Sequence, residues 1–192
     1  MPSPFLLDTN AYFLIFRPPP KPQSYFRLIQ KIQGGSKISS FYVFEISSME
    51  IHSVLGKYRR GVSPQRQQCN REIVVGSQTV KCSNTWIVPG RKKMKPKVFR
   101  GIQKMINDTE AARGDIQATV LKLDSDSIEE ARKLLIKYAD RYNFGSHDSL
   151  IAGGLIVVRE TKGMNLTLVT SDRGLQAVLR DESIPFYDPE RV

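Results

Sequence analysis

Short apolar runs alternate with amphipathic helical stretches at both ends of this chain, and one central segment, residues 57–100, breaks the alternation. The alternation constrains the fold most. Pro4-Phe5-Leu6-Leu7-Asp8 reads as a buried strand, and Pro18-Pro19-Pro20 as a break. Tyr25, Leu28, Ile29 and Ile32 form a helical stripe. Lys37 to Phe41 is a second strand, followed by a helix from Tyr42 to Tyr58 with Phe44, Ile51, Leu55 and Tyr58 on one face. Beyond the break, helices are expected over Ile102–Arg113 and Ser127–Tyr142, while Ile116–Leu123 stays open between helix and strand. Ser146 is expected to N-cap a helix reaching about Val158. Leu166 to Thr170 is a strand, Arg173 to Leu179 a short helix, and Ile184 to Tyr187 a last strand. Strands alternating with helices predict an α/β fold: a central parallel sheet flanked by helices.

The central segment differs in charge as well as pattern. Of the 29 Lys and Arg residues, twelve fall within 57–100, against one of the 19 acids, Glu72. The net charge of +10 therefore resides there, and the rest of the chain is nearly neutral. Arg71 to Val75 and Gln78 to Cys82 form a hairpin pattern around Gly76-Ser77, a two-residue type II′ turn. That register sets Glu72 opposite Lys81 and Cys69 opposite Asn84, so a Cys69–Cys82 disulfide is disfavoured. Two cysteines exclude a disulfide scaffold and suit a reducing compartment. The longest apolar run, Leu150 to Val158, is too short to span a bilayer, which takes ~20 residues. A soluble intracellular protein is expected, in the cytoplasm. The segment reads as a basic insertion of hairpin and loop, partly disordered around Lys92 to Lys97.

In open parallel sheets, ligands bind beyond the carboxyl ends of the strands. Asp8 and Asp172 each follow a strand directly, Glu45 opens the helix after the second strand, and Asp148 lies in the first turn of the helix capped by Ser146. Four carboxylates at one edge repel unless one holds a proton or a cation intervenes. Oxygen-only ligands favour Mg²⁺ or Mn²⁺ over Zn²⁺. An Asp after a strand is also a common N-cap, which is the structural alternative for Asp8 and Asp172.

These residues carry a resemblance. Leu6-Leu7-Asp8-Thr9-Asn10 is similar to the opening motif of PIN-domain nucleases, and Ile38 to Ile46 resembles the second, with Glu45 in the acidic position. His147 to Ala152 and Val169 to Arg173 are similar to the third and fourth. Order and surroundings match across the chain except for the insertion, and the nearest type is the VapC toxin–antitoxin ribonuclease. The resemblance implies one PIN-like domain over 1–192 with 57–100 inserted in it. It implies a metal-dependent endoribonuclease using Mg²⁺ or Mn²⁺, with Asp8, Glu45, Asp148 and Asp172 as the metal-binding acids. Thr9, Asn10 and Ser171 would be polar supporting or phosphate-orienting groups. A cognate antitoxin and a homodimer are implied partners, alongside the RNA substrate.

Other candidates are weaker. Glu50 lies about 140° round the helix from Glu45 and should not share its ligand. His52 is a surface or packing residue, and His147 is set aside because Ser146 already explains the helix start. Gly153-Gly154 marks the close approach of a neighbouring element. Asp124, Asp126, Glu129 and Glu130 complement a helix dipole. Arg91, Lys92, Lys93, Lys95 and Lys97, with Trp86, Phe99 and Tyr58 in the same basic segment, are expected to form one wall of an RNA groove. Two other functions suit parts of the same pattern: a non-catalytic RNA-binding or assembly protein on the same fold, and a phosphatase with Asp8 as nucleophile. The second lacks the further Asp two residues on.

Overall fold

A computed structural model describes residues 4–34, 39–76 and 78–191. In chain order the elements are β1 (Phe5–Leu7), α1 (Thr9–Phe16), α2 (Gln23–Gln33), β2 (Ser39–Phe44), α3 (Glu45–Arg60), β3 (Gln65–Gln68), β4 (Glu72–Val75) and β5 (Gln78–Lys81). Then follow β6 (Thr85–Val88), α4 (Pro96–Glu110), β7 (Ile116–Leu121), α5 (Ser125–Tyr138), α6 (Ser146–Lys162), β8 (Thr167–Val169), α7 (Arg173–Asp181) and β9 (Phe186–Tyr187). The chain divides into two compact units, one of Met1–His52 with Ile102–Val192 and one of Ser53–Gly101.

The first unit is the expected α/β body. Its sheet has the order β7-β2-β1-β8-β9, and every pairing is parallel. Leu6, Leu7, Val43, Leu168 and Val169 are fully buried, as strands covered on both faces must be. The segment left open between helix and strand is β7, which pairs with β2 from Ser39↔Ile116 to Phe44↔Leu121.

Several boundaries move. Tyr42 to Phe44 belong to β2 rather than to the following helix, because they are bonded into the sheet between β1 and β7. The expected start of that strand, Lys37 and Ile38, lies outside the described residues. Helix α1, unmarked in the sequence reading, follows β1 after one residue and buries Ala11, Tyr12, Ile15 and Phe16. Helix α4 begins at Pro96, so Lys97 and Arg100 stand on a helix rather than in a loop. Proline suits a first helical position, where its missing N–H removes no bond. The N-cap of α6 is Gly145 rather than Ser146.

In the second unit the hairpin extends further than its β-rich tip suggested. Strands β4 and β5 pair with Glu72 opposite Lys81, as expected, and β3 pairs with β6 from Gln65↔Val88 to Gln68↔Thr85. Between them the Cys69 amide donates to Asn84 O and the Cys82 amide to Arg71 O, both at 2.8 Å, so one register runs throughout. Both thiols are free. The register sets Ile73, Val80, Trp86 and Val88 on one face with the two cysteines. Gly76 has φ +65°, which suits a tight hairpin turn, but its partner Ser77 lies outside the described residues, and the turn type with it.

Helices α5 and α6 pack through Gly153. A Cβ there would stand 2.5 Å from Ala131 N and 2.9 Å from Ser127 O. Gly153→Ala therefore collides with helix backbone, which outweighs the ~1 kcal/mol that alanine gains in helix propensity. The substitution is expected to lower stability by about 1–3 kcal/mol in denaturant unfolding. An unchanged midpoint would show that the two helices do not approach this closely.

Candidate functional site

The parallel sheet sends β1, β2, β7 and β8 out at one edge, where the acids gather. Asp8 leaves β1, and its amide donates to Val169 O at 3.1 Å, which ties it to the end of β8. It is 3% exposed. Its Oδ1 accepts from Ala11 N at 2.6 Å, capping α1. Asp172 caps α7 in the same way, with Oδ1 accepting from Leu175 N at 2.8 Å. Asp148 sits in the first turn of α6, and its Oδ2 accepts from Gly145 N at 3.3 Å. Each aspartate thus fixes one oxygen at a helix N-terminus, where the dipole favours a negative charge. Asp148 Oδ1 and Asp172 Oδ2 receive no hydrogen bond among the described residues.

Burial pushes the Asp8 carboxyl up to about 7, against hydrogen bonds from Ala11 N–H and the Thr170 hydroxyl, and the charges of Asp148 and Asp172 push it further. Asp148 is also raised, first by desolvation and then by Asp172, while the Gly145 N–H opposes. The three aspartates therefore feel one another's charge. The Thr170 hydroxyl accepts from Asp172 N at 3.1 Å and acts on the Asp8 carboxyl to lower it.

Glu45 opens α3 at the same edge, and its Oε1 accepts from Leu123 N at 2.9 Å, just beyond β7. Among the described residues no hydrogen bond joins it to the three aspartates. Thr9 is buried, with Oγ1 3.5 Å from His147 Nε2. Asn10 is exposed. The Ser171 hydroxyl donates to Asp188 Oδ1 at 2.7 Å, so it is engaged away from the aspartates. Asp188 is further held by Gln176 Nε2, itself bonded to Thr170 O.

Glu50 and His147, both set aside on sequence, meet here: Glu50 Oε2 lies 2.8 Å from His147 Nε2. Glu50's charge also reaches Asp148. Spacing along α3 separates Glu50 from Glu45 but says nothing of what α6 brings to its other face. Thr170 lies within the Val169–Arg173 motif without a role assigned to it, and Gln176, four residues after Asp172, carries no sequence signal.

Among the described residues, no three His, Cys, Asp or Glu side chains are close enough to cage a cation as they stand. The donor chemistry fits a hard divalent cation: an all-oxygen set, two unclaimed carboxylate oxygens, and a buried aspartate whose ionised form is opposed by desolvation more than its hydrogen bonds favour it.

The basic residues lie in the second unit. Arg91 stacks on Tyr58, 4.1 Å from the ring centroid, and donates to Lys57 O at 3.3 Å. Lys92, Lys93, Lys95 and Lys97 are exposed. Trp86 is 47% exposed.

No protein-family model matches the chain, and no curated protein does. Among solved structures it is similar to the crystal structure of DNA-bound VapBC from Salmonella typhimurium, at 16% identity and a TM-score of 0.49 over 97% of this chain and 98% of that one.

A pH dependence follows from Asp8. A carboxyl raised from 3.8 to about 7 on folding contributes stability that is present below pH 4 and lost as pH rises through 7. The full loss is up to roughly 4 kcal/mol. Asp8→Asn keeps an amide oxygen for the cap and has no such loss. In EDTA the variant is expected to melt higher than wild type at pH 8, and the gap to close at pH 4. Equal pH profiles would mean that Asp8 is not a buried carboxylate.

Proposed function

We propose that this chain is a Mg²⁺- or Mn²⁺-dependent endoribonuclease of the PIN type, which hydrolyses RNA phosphodiesters. The observation that carries the reading is Asp8: a carboxylate buried at the carboxyl edge of a parallel sheet, within the fields of Asp148 and Asp172. A fold selected for stability alone gains nothing from three mutually repelling aspartates, since Asn would cap α1 and α7 as well. Asp8, Asp148 and Asp172, with Glu45, would hold the cation. A bound divalent cation supplies an activated water and neutralises charge on the phosphodiester.

The chain's own groups do the positioning. Backbone N–H groups at helix N-termini hold one oxygen each of Asp8, Asp148 and Asp172, and the Thr170 hydroxyl accepts from Asp172 N. Thr9 and the Glu50–His147 pair supply polar groups beside them for substrate. The cations at Arg91, Lys92, Lys93, Lys95 and Lys97 would add salt-dependent affinity for the RNA backbone. As a toxin of the VapC kind the protein would act in the cytoplasm, as a homodimer, and be silenced by a cognate antitoxin. No helix among the described residues is long and apolar enough to cross a membrane.

Purified protein is expected to cut single-stranded RNA with Mn²⁺ or Mg²⁺ and to stop on chelation. Asp8→Asn and Asp148→Asn should each lower the rate ~100-fold or more, because the cation supplies several kcal/mol. RNA binding without cleavage under any metal would identify the non-catalytic binding or assembly protein instead. Cleavage untouched by both substitutions would place the chemistry elsewhere.

A further inference from the structure

We infer that the second unit holds a phosphate-binding pocket at the base of its β-ribbon, built around Gly61 and Gly90, which takes a backbone phosphate of RNA. The inference rests on the RNA reading above and deepens it, by giving the basic segment a defined contact in place of diffuse charge.

The base is a backbone crossing. Val62 and Arg91 exchange both amide hydrogen bonds at 2.8 Å. Two glycines make this approach possible. A Cβ on Gly61, whose φ is +69°, would stand 2.6 Å from Arg91 O, and one on Gly90 would stand 2.3 Å from Val62 O. Neither position accepts a side chain without displacing backbone. The crossing leaves an open cavity of about 470 Å³, with Arg60, Ser63, Arg91, Lys92 and Lys93 around it and no acidic residue in its lining. That volume falls within the ~300–1,000 Å³ of small-molecule pockets.

Four cations around one cavity repel one another, and an anion relieves them. Arg91 is already engaged by Tyr58 and Lys57 O, so it braces the wall. Arg60, Lys92 and Lys93 have no ion-pair partner among the described residues. The Ser63 hydroxyl adds a donor of the kind that phosphate oxygens accept. Trp86, exposed on the same ribbon, decides between anions: a polynucleotide has bases to stack on it, and an acidic peptide does not.

The test is anisotropy of a labelled 12-nucleotide single-stranded RNA in EDTA, where nothing is cut, at two salt concentrations. Ser63→Asp places a carboxylate on the exposed rim, and Lys92→Gln/Lys93→Gln removes two cations. Each is expected to weaken RNA binding ~10-fold or more and to flatten the salt slope by about one to two phosphate contacts. Arg66→Gln, outside the pocket lining, matches the one-unit charge change of Ser63→Asp and is expected to cost less than ~3-fold. Circular dichroism and melting of each variant control for folding. Inorganic phosphate, compared with chloride at equal ionic strength, should compete in wild type and not in Ser63→Asp. Competition without RNA binding would assign the pocket to a free phosphate and overturn the RNA contact. Equal losses in Arg66→Gln and the pocket variants would overturn the pocket, as would tighter binding of polyglutamate than of RNA. RNA that binds in EDTA but is never cut with Mn²⁺ defeats the nuclease reading and leaves the pocket standing. RNA that is cut while Ser63→Asp binds it normally does the reverse.

Discussion

The repulsion among Asp8, Asp148 and Asp172 is the constraint on which the first unit turns. A parallel sheet brings its strands out at one edge and starts helices there, so the N-terminal dipoles of α1, α6 and α7 point to the same region. Those dipoles and their unpaired N–H groups make the edge tolerant of negative charge. Burial works against them at Asp8, and for that residue burial wins. The sheet thus gathers carboxylates that it does not itself neutralise. A proton on Asp8, whose carboxyl is pushed up to about 7, relieves part of that repulsion near neutral pH, and the relief is lost as the pH rises further.

Capping by Asp8 and Asp172 does not exclude a second role for either residue. Each residue caps its helix through one oxygen, and the cap holds its rotamer. A side chain held in one rotamer by packing and a backbone bond is what a preorganised site requires. Asn would cap as well, so capping explains why an Asx residue stands there and leaves the charge unexplained.

How much could be read from the chain follows from which forces are local. The acids at strand ends and the Glu72–Lys81 register follow from period-2 patterning and turn chemistry, which a few neighbouring residues carry. The start of α3 did not, because Tyr42, Val43 and Phe44 fit either state and only pairing on both sides by β1 and β7 makes them strand. Strand β3 is Gln65-Arg66-Gln67-Gln68, with no apolar alternation at all; it is a strand because β6 lies beside it. The Glu50–His147 contact joins residues 97 positions apart, and helix periodicity cannot see across to α6. The Gly153 contact was legible in kind, as a close approach, though its partner Ala131 was not.

The charge of the second unit is the last element that physical chemistry divides. Lys57, Arg59 and Arg60 fall in the final turn of α3, where cations complement the helix C-terminus. Gly61 closes that helix, its amide donating to Lys57 O at 3.1 Å, and Arg91 reaches the same carbonyl. Arg59 donates to Met94 O at 3.1 Å. Some of the basic residues therefore build the unit, by tying the ribbon's base to a helix end. That bracing matters because the four strands are exposed throughout and a two-stranded hairpin is marginal alone. Side-chain contacts account for Arg59 and Arg91, and the helix C-terminus for Lys57 and Arg60. That leaves Lys92 and Lys93, which are exposed and have no ion-pair partner among the described residues.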